Sequence, residues 1–203
     1  MSLTVGAKFP VDVQVDSPTR PAKLSDMLET GPVVVAFHQL WCPFSQEAAR
    51  ELRSAQYQFH AAGARVVLVY RDDIRAVSKS RSAHDIPFDC LSDNHRELET
   101  AAEIEPFSRL RYGAFAPRKL IHALRTGSHL GYPHTGWRQG RSTFVVDRDT
   151  RIVYAHRSVT AADNPPLEEI LDAVRTAAYK RTDASEDSTG TTAGVTDWHR
   201  PTG

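Results

Sequence analysis

The sequence predicts an α/β domain, a central mixed β-sheet with helices on both faces. Three observations predict it. Residues 32–37 and 65–70 are short, continuous, β-branched apolar runs, which read as buried strands. Between them Phe44, Ala48, Leu52, Ala55 and Phe59 recur at three- and four-residue spacing, which reads as a helix. Strand, helix, strand is a βαβ unit, expected to be parallel with a right-handed crossover. Residues 141–147 and 151–156 flank a turn, Asp147-Arg148-Asp149-Thr150, and read as an antiparallel hairpin.

The remaining elements follow in order. Residues 5–15 hold Val11, Val13 and Val15 alternating with Asp12 and Gln14, a strand with one wet face. Ser17 to Pro21 is a turn, and Leu24 to Leu28 a short helical turn that ends before Gly31-Pro32. Gly63 stops the first long helix. Asp72-Asp73 offer N-cap oxygens to a helix running to about Ser80. Residues 87–91 read as a short strand, and Ser92-Asp93 precede a helix over 94–102. Residues 106–140 are irregular, with a helical stretch at 117–124 and a glycine-rich loop after it. His129, Tyr132, His134 and Trp137 make that loop a candidate for substrate contact. Pro165-Pro166 open a last helix with Leu167, Ile170, Leu171 and Val174 on one face. From residue 181 the composition turns to Ser, Thr, Asp, Glu and Gly, the mark of a disordered tail. Residues 1–180 are thus expected to form one domain with an insert at 106–140, followed by a tail at 181–203.

Composition excludes several classes. Lysine plus arginine equals aspartate plus glutamate at 25 each, which leaves no excess charge for phosphate contacts, so nucleic acid is not the partner. No apolar run is long enough to span a bilayer, and the first residues lack a secretory signal pattern. Two cysteines in 203 residues make no disulfide framework, so a reducing, cytoplasmic setting is expected. The histidines show no zinc-ligand spacing, and no cofactor or metal is expected.

The chemistry concentrates at Cys42. It sits between the first buried strand and the first long helix, just before Pro43, and proline is favoured at the first helical position. A helix N-terminus presents unpaired N–H groups and partial positive charge, which favour a nucleophilic thiolate. Trp41-Cys42-Pro43-Phe44-Ser45 at this junction resembles the active-site segment of the thioredoxin superfamily. In particular it is similar to the Trp-Cys-Pro-x-Cys segment of peroxiredoxin-like (AhpC/TSA-type) proteins. Residues 136–174 are similar to the branch that includes prostamide/prostaglandin F synthase-like proteins.

The resemblance implies a thioredoxin-like fold and a thiol-dependent oxidoreductase. Cys42 would be the nucleophile that reduces a peroxide or a small molecule. Arg141, just before the strand of Phe144, would be the cation that faces it. Ser45 stands where the resolving cysteine of a Cys-x-x-Cys pair would be, and it can donate a hydrogen bond to the thiolate. The resolving thiol must then come from outside, from a thioredoxin-like protein or a low-molecular-weight thiol. The resemblance also allows a homodimer. His38, four residues before Cys42, is a candidate base or positive partner, and Trp41, Phe44 and Trp137 are candidate substrate contacts. Cys90 alternates with Phe88 on a short strand and is expected to pack in the core. Peroxiredoxins carry Pro-x-x-x-Thr-x-x-Cys, whereas Val35 and Gln39 occupy those two positions here. That departure keeps two other readings open: a binding or accessory protein on the same scaffold, and a small-molecule tailoring enzyme that does not reduce peroxide.

Overall fold

The central sheet grows outward from its most apolar strand. The computed structural model describes residues 3–108, 117–133, 135, 136 and 138–186. Two short strands, β1 (Gln14–Val15) and β2 (Ala22–Lys23), pair with each other ahead of a helical turn, α1 (Leu24–Leu28). The main sheet holds β3 (Val33–His38), β4 (Arg65–Tyr70), β5 (Asp89–Ser92), β6 (Ser142–Val146) and β7 (Ile152–Arg157). Its order is β5-β4-β3-β6-β7. β3 is parallel to β4, β4 is parallel to β5, and β6 is antiparallel to both β3 and β7, so the sheet is mixed as expected.

Every residue of β3 is buried, because both of its faces are covered. Alternation along the strand sends Val33, Val35 and Phe37 to one face, where they meet Phe9, Leu24, Phe144 and Ile152. Val34 and Ala36 go to the other face, against the helices α2 (Pro43–Ser54), α3 (Gln56–Ala61) and, at the far end of the chain, Leu167–Glu186. The next residue in that second series is His38. The same alternation on β6 puts Thr143 and Val145 on the helix face, and Arg141 comes next on that side. The register pairs Ala36 with Thr143, so His38, two residues on along β3, and Arg141, two residues before Thr143, are brought together.

Phe144 anchors the opposite face. Its ring centroid is 5.2 Å from that of Phe9 and 6.3 Å from that of Phe37, and the Arg157 guanidinium lies over it at 5.4 Å. Phe144→Ala is expected to cost about 3–5 kcal/mol of unfolding free energy, measurable by urea titration.

Several boundaries differ from the sequence expectation for local reasons. The stretch 5–15 is strand only at Gln14–Val15, with an isolated bridge from Lys8 to Arg151. Pro10 has no N–H to extend a ladder there. The first long helix breaks at Ala55, whose φ of −101° and ψ of 13° leave the helical well, although Ala55 and Phe59 both stay buried. α4 (Ile74–Ala83) starts as expected: Asp73 Oδ1 accepts from the N–H groups of Arg75 and Ala76. α5 (Glu97–Ala101) is shorter than 94–102. Arg96 takes a left-handed φ of 60°, and the Asp93 carboxylate instead accepts from the Leu98 and Glu99 N–H groups. α6 (Pro117–Arg125) covers the helical stretch expected in the insert. α7 (Leu167–Glu186) starts after Pro165-Pro166 but runs beyond residue 180, into the stretch expected to be tail. Residues 187–203 of that expected tail lie outside the described residues. No helix among the described residues is long and apolar enough to cross a membrane.

Candidate active site

The site forms where β3 ends and α2 begins. Cys42 is the N-cap of α2, in extended conformation, and Pro43 takes the first helical position. The turn is closed by the Cys42 N–H donating to the Gln39 carbonyl at 3.2 Å. The Cys42 side chain makes no capping bond, so its sulfur is not committed to the helix end. It is 1% exposed and packs with Trp41, Phe44, Phe107, Ala123, Ala161 and Ala162.

Arg141 approaches from the strand side. It is 3% exposed, its Nη1 donates to the Ala161 carbonyl at 2.6 Å, and its Nη2 donates to Asn164 Oδ1 at 2.9 Å. Nε is buried without a partner. Burial lowers the Arg141 pKa, and Cys42, Asp163, Glu47 and Tyr70 act against that shift in that order. The interaction with Cys42 puts the guanidinium within electrostatic reach of the sulfur. An arginine does not lose its proton in a protein, so the cation persists. A cavity of about 450 Å³ is lined by Phe107 and Arg141 among others, so residues bordering Cys42 also border open space.

His38 sits beside Arg141 at the end of β3. Burial first, and the Arg141 charge second, push its pKa well below the ordinary value. Both causes disfavour the imidazolium and favour the neutral imidazole there. Its ring lies edge-on to Tyr70 at 6.2 Å, and its Nδ1 has no hydrogen-bond partner. The sign of the pH effect follows. The unfolded chain takes up a proton near pH 6.5 that the folded chain refuses, so stability is present above that pH and is lost as pH falls below it. His38→Gln is expected to flatten the acid limb of unfolding free energy against pH by about 1.4 kcal/mol per pH unit. Urea titrations of both proteins between pH 7 and pH 5 measure the difference.

Ser45 lies one turn into α2, buried, and its Oγ accepts from the Gln39 N–H at 3.1 Å. The hydroxyl thus holds the turn that carries Cys42 and keeps its own proton to donate. Trp41 and Phe44 are 6% and 2% exposed, so they wall the sulfur rather than offer an open surface. Trp137 and His134 lie outside the described residues. Cys90 is buried in the core on the α2 side of the sheet, where burial pushes its thiol up to about 12.

The insert is clamped onto the site partly by residues that sequence reading did not single out, Thr135, Gln139, Arg71 and Gln46. Trp41 Nε1 donates to Thr135 Oγ1 at 3.2 Å, and that hydroxyl donates to Gln139 Oε1 at 3.2 Å. Gln39 Nε2 donates to the Gln139 carbonyl at 2.6 Å. Arg71 donates to the Thr135 carbonyl at 3.2 Å while forming a buried pair with Glu99. Gln46 and His129 exchange hydrogen bonds, Nε2 to the His129 carbonyl and the His129 N–H to Oε1. Gly131 passes so close to Trp41 that a Cβ there would stand 2.9 Å from Trp41 Cβ. Of the loop residues expected to touch substrate, Tyr132 is exposed, and His129 stacks on His84 at 5.6 Å. The missed residues carried no motif. Asn164 and Gln139 are polar side chains far from Cys42 in sequence, and only the sheet register brings them back.

Comparison with known proteins bears on the family and the fold. A peroxiredoxin-named protein of Mycobacterium tuberculosis is 28% identical over 159 residues, covering 78% of this chain and 88% of its own. Among solved structures, peroxidoxin BcpB of Mycobacterium tuberculosis superposes with a TM-score of 0.64 at 19% identity, covering 86% of this chain and 97% of its own. Peroxiredoxin 6 of Arenicola marina gives 0.63 at 16% identity, covering 93% and 76%. PrxQ of Xylella fastidiosa gives 0.63 at 19% identity, covering 87% and 98%. At these identities the structural likeness is one of fold, and that fold is thioredoxin-like. Since the profile of the AhpC/TSA family matches residues 5–155, a span that contains both Cys42 and Arg141, the chain belongs to the AhpC/TSA family.

Proposed function

We propose that the protein is a one-cysteine thiol peroxidase whose nucleophile is Cys42. The observation that carries this reading is the buried Arg141. Two of its nitrogens are tied back to Ala161 and Asn164, Nε is left unpartnered, and the guanidinium interacts electrostatically with Cys42. A buried donor with no partner is costly, so its place beside a thiol favours a role in which an oxygen or a thiolate completes it.

The Cys42 thiolate attacks the terminal oxygen of a hydroperoxide. The S–O bond forms as the O–O bond breaks, which gives a sulfenic acid and releases water or an alcohol once the leaving oxygen takes a proton. Negative charge grows on that leaving oxygen, where a fixed cation is most effective. The walls of Trp41, Phe44 and Phe107 exclude water and strengthen the interaction. Gln39 offers no hydroxyl at its position, so more of the peroxide's alignment falls to Arg141 than in relatives with threonine there.

The sulfenic acid is then reduced by an external thiol. Cys90 is a poor resolving group, since its thiol is buried, high in pKa, and packed against the Phe88 carbonyl. Family membership and the retained Trp-Cys-Pro turn favour this enzyme over an accessory scaffold, which needs no cysteine at the helix start. Adding one equivalent of hydrogen peroxide to the reduced protein is expected to add one oxygen to Cys42 and none to Cys90, read by peptide mass spectrometry after trapping. A Cys42 that stays reduced under those conditions removes the reading.

A further inference from the structure

A second cavity lies along α2, where the end of β4, the end of α4 and the residues just after α6 approach that helix. It measures about 150 Å³ and shares no lining residue with the one that Arg141 borders. None of the side chains packed around Cys42 lines it either, so it is separate from the space around the sulfur. The cavity has a deep end and a mouth. Tyr70 and Ser45, in its lining, are 4% and 2% exposed, whereas Arg53, His84 and Thr126 are exposed. Leu40, Ala49 and Ile86 give it apolar walls.

Two observations point to a ligand. The first is Tyr70. Alternation along β4 sends Val66, Leu68 and Tyr70 to the helix face of the sheet, and the last of them borders the cavity. Its hydroxyl makes no hydrogen bond among the described residues. A buried phenol ordinarily finds a partner, and the cavity is the side from which one can come. The second observation is charge. Arg50 is held by the hydroxyls of Thr126 and Ser128, and Arg53 by the His84 carbonyl. Neither arginine is ion-paired with a carboxylate among the described residues, and the lining holds no aspartate or glutamate. One buried phenol and two unneutralised cations therefore border the same apolar-walled space.

We propose that this cavity is a binding site for a small aromatic carboxylate that carries a hydroxyl on its ring. Size sets the number of rings, since a protein cavity of about 150 Å³ takes up one benzene. The ring lies against Leu40, Ala49 and Ile86, out of water. Its hydroxyl reaches the deep end and pairs with the Tyr70 hydroxyl. Its carboxylate turns to the mouth, where Arg53 and Arg50 receive it with charge-assisted hydrogen bonds. An inorganic anion would leave the apolar walls wet and Tyr70 unpaired. An uncharged ring would leave the two cations without a counter-charge. The proposal goes beyond the peroxidase reading and does not rest on it: no reaction at Cys42 is needed, and binding alone is measured.

The test titrates the full chain with three probes, followed by calorimetry. They are 4-hydroxybenzoate, benzoate, which lacks the hydroxyl, and 4-hydroxybenzyl alcohol, which lacks the charge. 4-Hydroxybenzoate is expected to bind at one site, about three- to tenfold tighter than either of the others. Its advantage over the alcohol should fall toward one in Arg53→Ala and return in part in Arg53→Lys. Its advantage over benzoate should vanish in Tyr70→Phe, while its advantage over the alcohol stays. Arg53 is exposed, so its variants test the site even if Tyr70→Phe fails to fold. No saturable binding of 4-hydroxybenzoate to the wild type overturns the site. So does an advantage over the alcohol that is unchanged in Arg53→Ala, or an advantage over benzoate that survives in a folded Tyr70→Phe.

Discussion

Cys42→Ser is expected to abolish peroxide turnover while leaving the fold in place. A hydroxyl at neutral pH is no substitute for a thiolate, and the chain offers no second sulfur to take over. Cys90 has a thiol pushed up to about 12 by burial, so at pH 7 it stays in the unreactive thiol form. It also sits in the core among Val66, Leu68 and Phe88. Cys90→Ser should therefore keep the wild-type rate of peroxide consumption. The stability side is equally specific. Position 42 is a helix N-cap, and serine is among the preferred N-cap residues, so Cys42→Ser can gain a capping bond that the cysteine does not make. That gain opposes the cost of placing a hydroxyl against Trp41, Phe44 and Phe107. The unfolding free energy should shift by no more than about 1 kcal/mol. Activity measured with a coupled thiol assay, together with a urea titration of the same preparation, separates lost chemistry from lost fold. Full turnover in Cys42→Ser would end the peroxidase reading built on this sulfur.

The sequence carried the parts of this arrangement that local chemistry determines. The buried runs at β3 and β4, the proline after Cys42, the cap at Asp73 and the hairpin at 147–150 each have a short-range physical cause, and each recurs in the structure. Arg141 was singled out through the family resemblance, which implies a cation just before the strand of Phe144. What escaped is non-local. Asn164 holds Arg141 from a loop after β7, and Gln139 reaches Gln39 across a separation of 100 residues. Periodicity says nothing about such pairs, because the sheet register creates them. The shortened first strand and the broken first helix escaped for a different reason. Apolar spacing continues through both, as Ala55 and Phe59 show for the helix, while the backbone leaves regular geometry at Ala55 itself. His38 stood out by its place four residues before Cys42, but its charge state did not. That depends on burial and on Arg141, and neither can be read from the residues around it.

Arg141→Met is expected to slow oxidation of Cys42 by peroxide by about 10²- to 10³-fold, the loss typical of removing one fixed donor from a site where charge develops. Arg141→Lys should recover little of this. A lysine is a point charge on a flexible stem, and it cannot keep the Ala161 carbonyl and Asn164 Oδ1 while also presenting a third donor in the plane of a fork. The stability change should not mirror the activity change. Arg141 is buried with its Nε unpaired, and desolvation is the largest influence on it, so an apolar side chain of similar length can be neutral or stabilising. A second readout distinguishes a charge effect from a disturbed site. The Arg141 cation is the second cause, after burial, of the depressed His38 pKa. Removing it should let His38 take up a proton at a higher pH than in the wild type, without returning it to the ordinary value, since the burial remains. An imidazole NMR titration of both proteins gives that difference directly. A slowed oxidation accompanied by an upward shift at His38 is the signature of a lost cation beside both side chains. A slowed oxidation with His38 unmoved would mean that the substitution acted through packing around Cys42, and an unslowed oxidation would place the catalytic cation elsewhere.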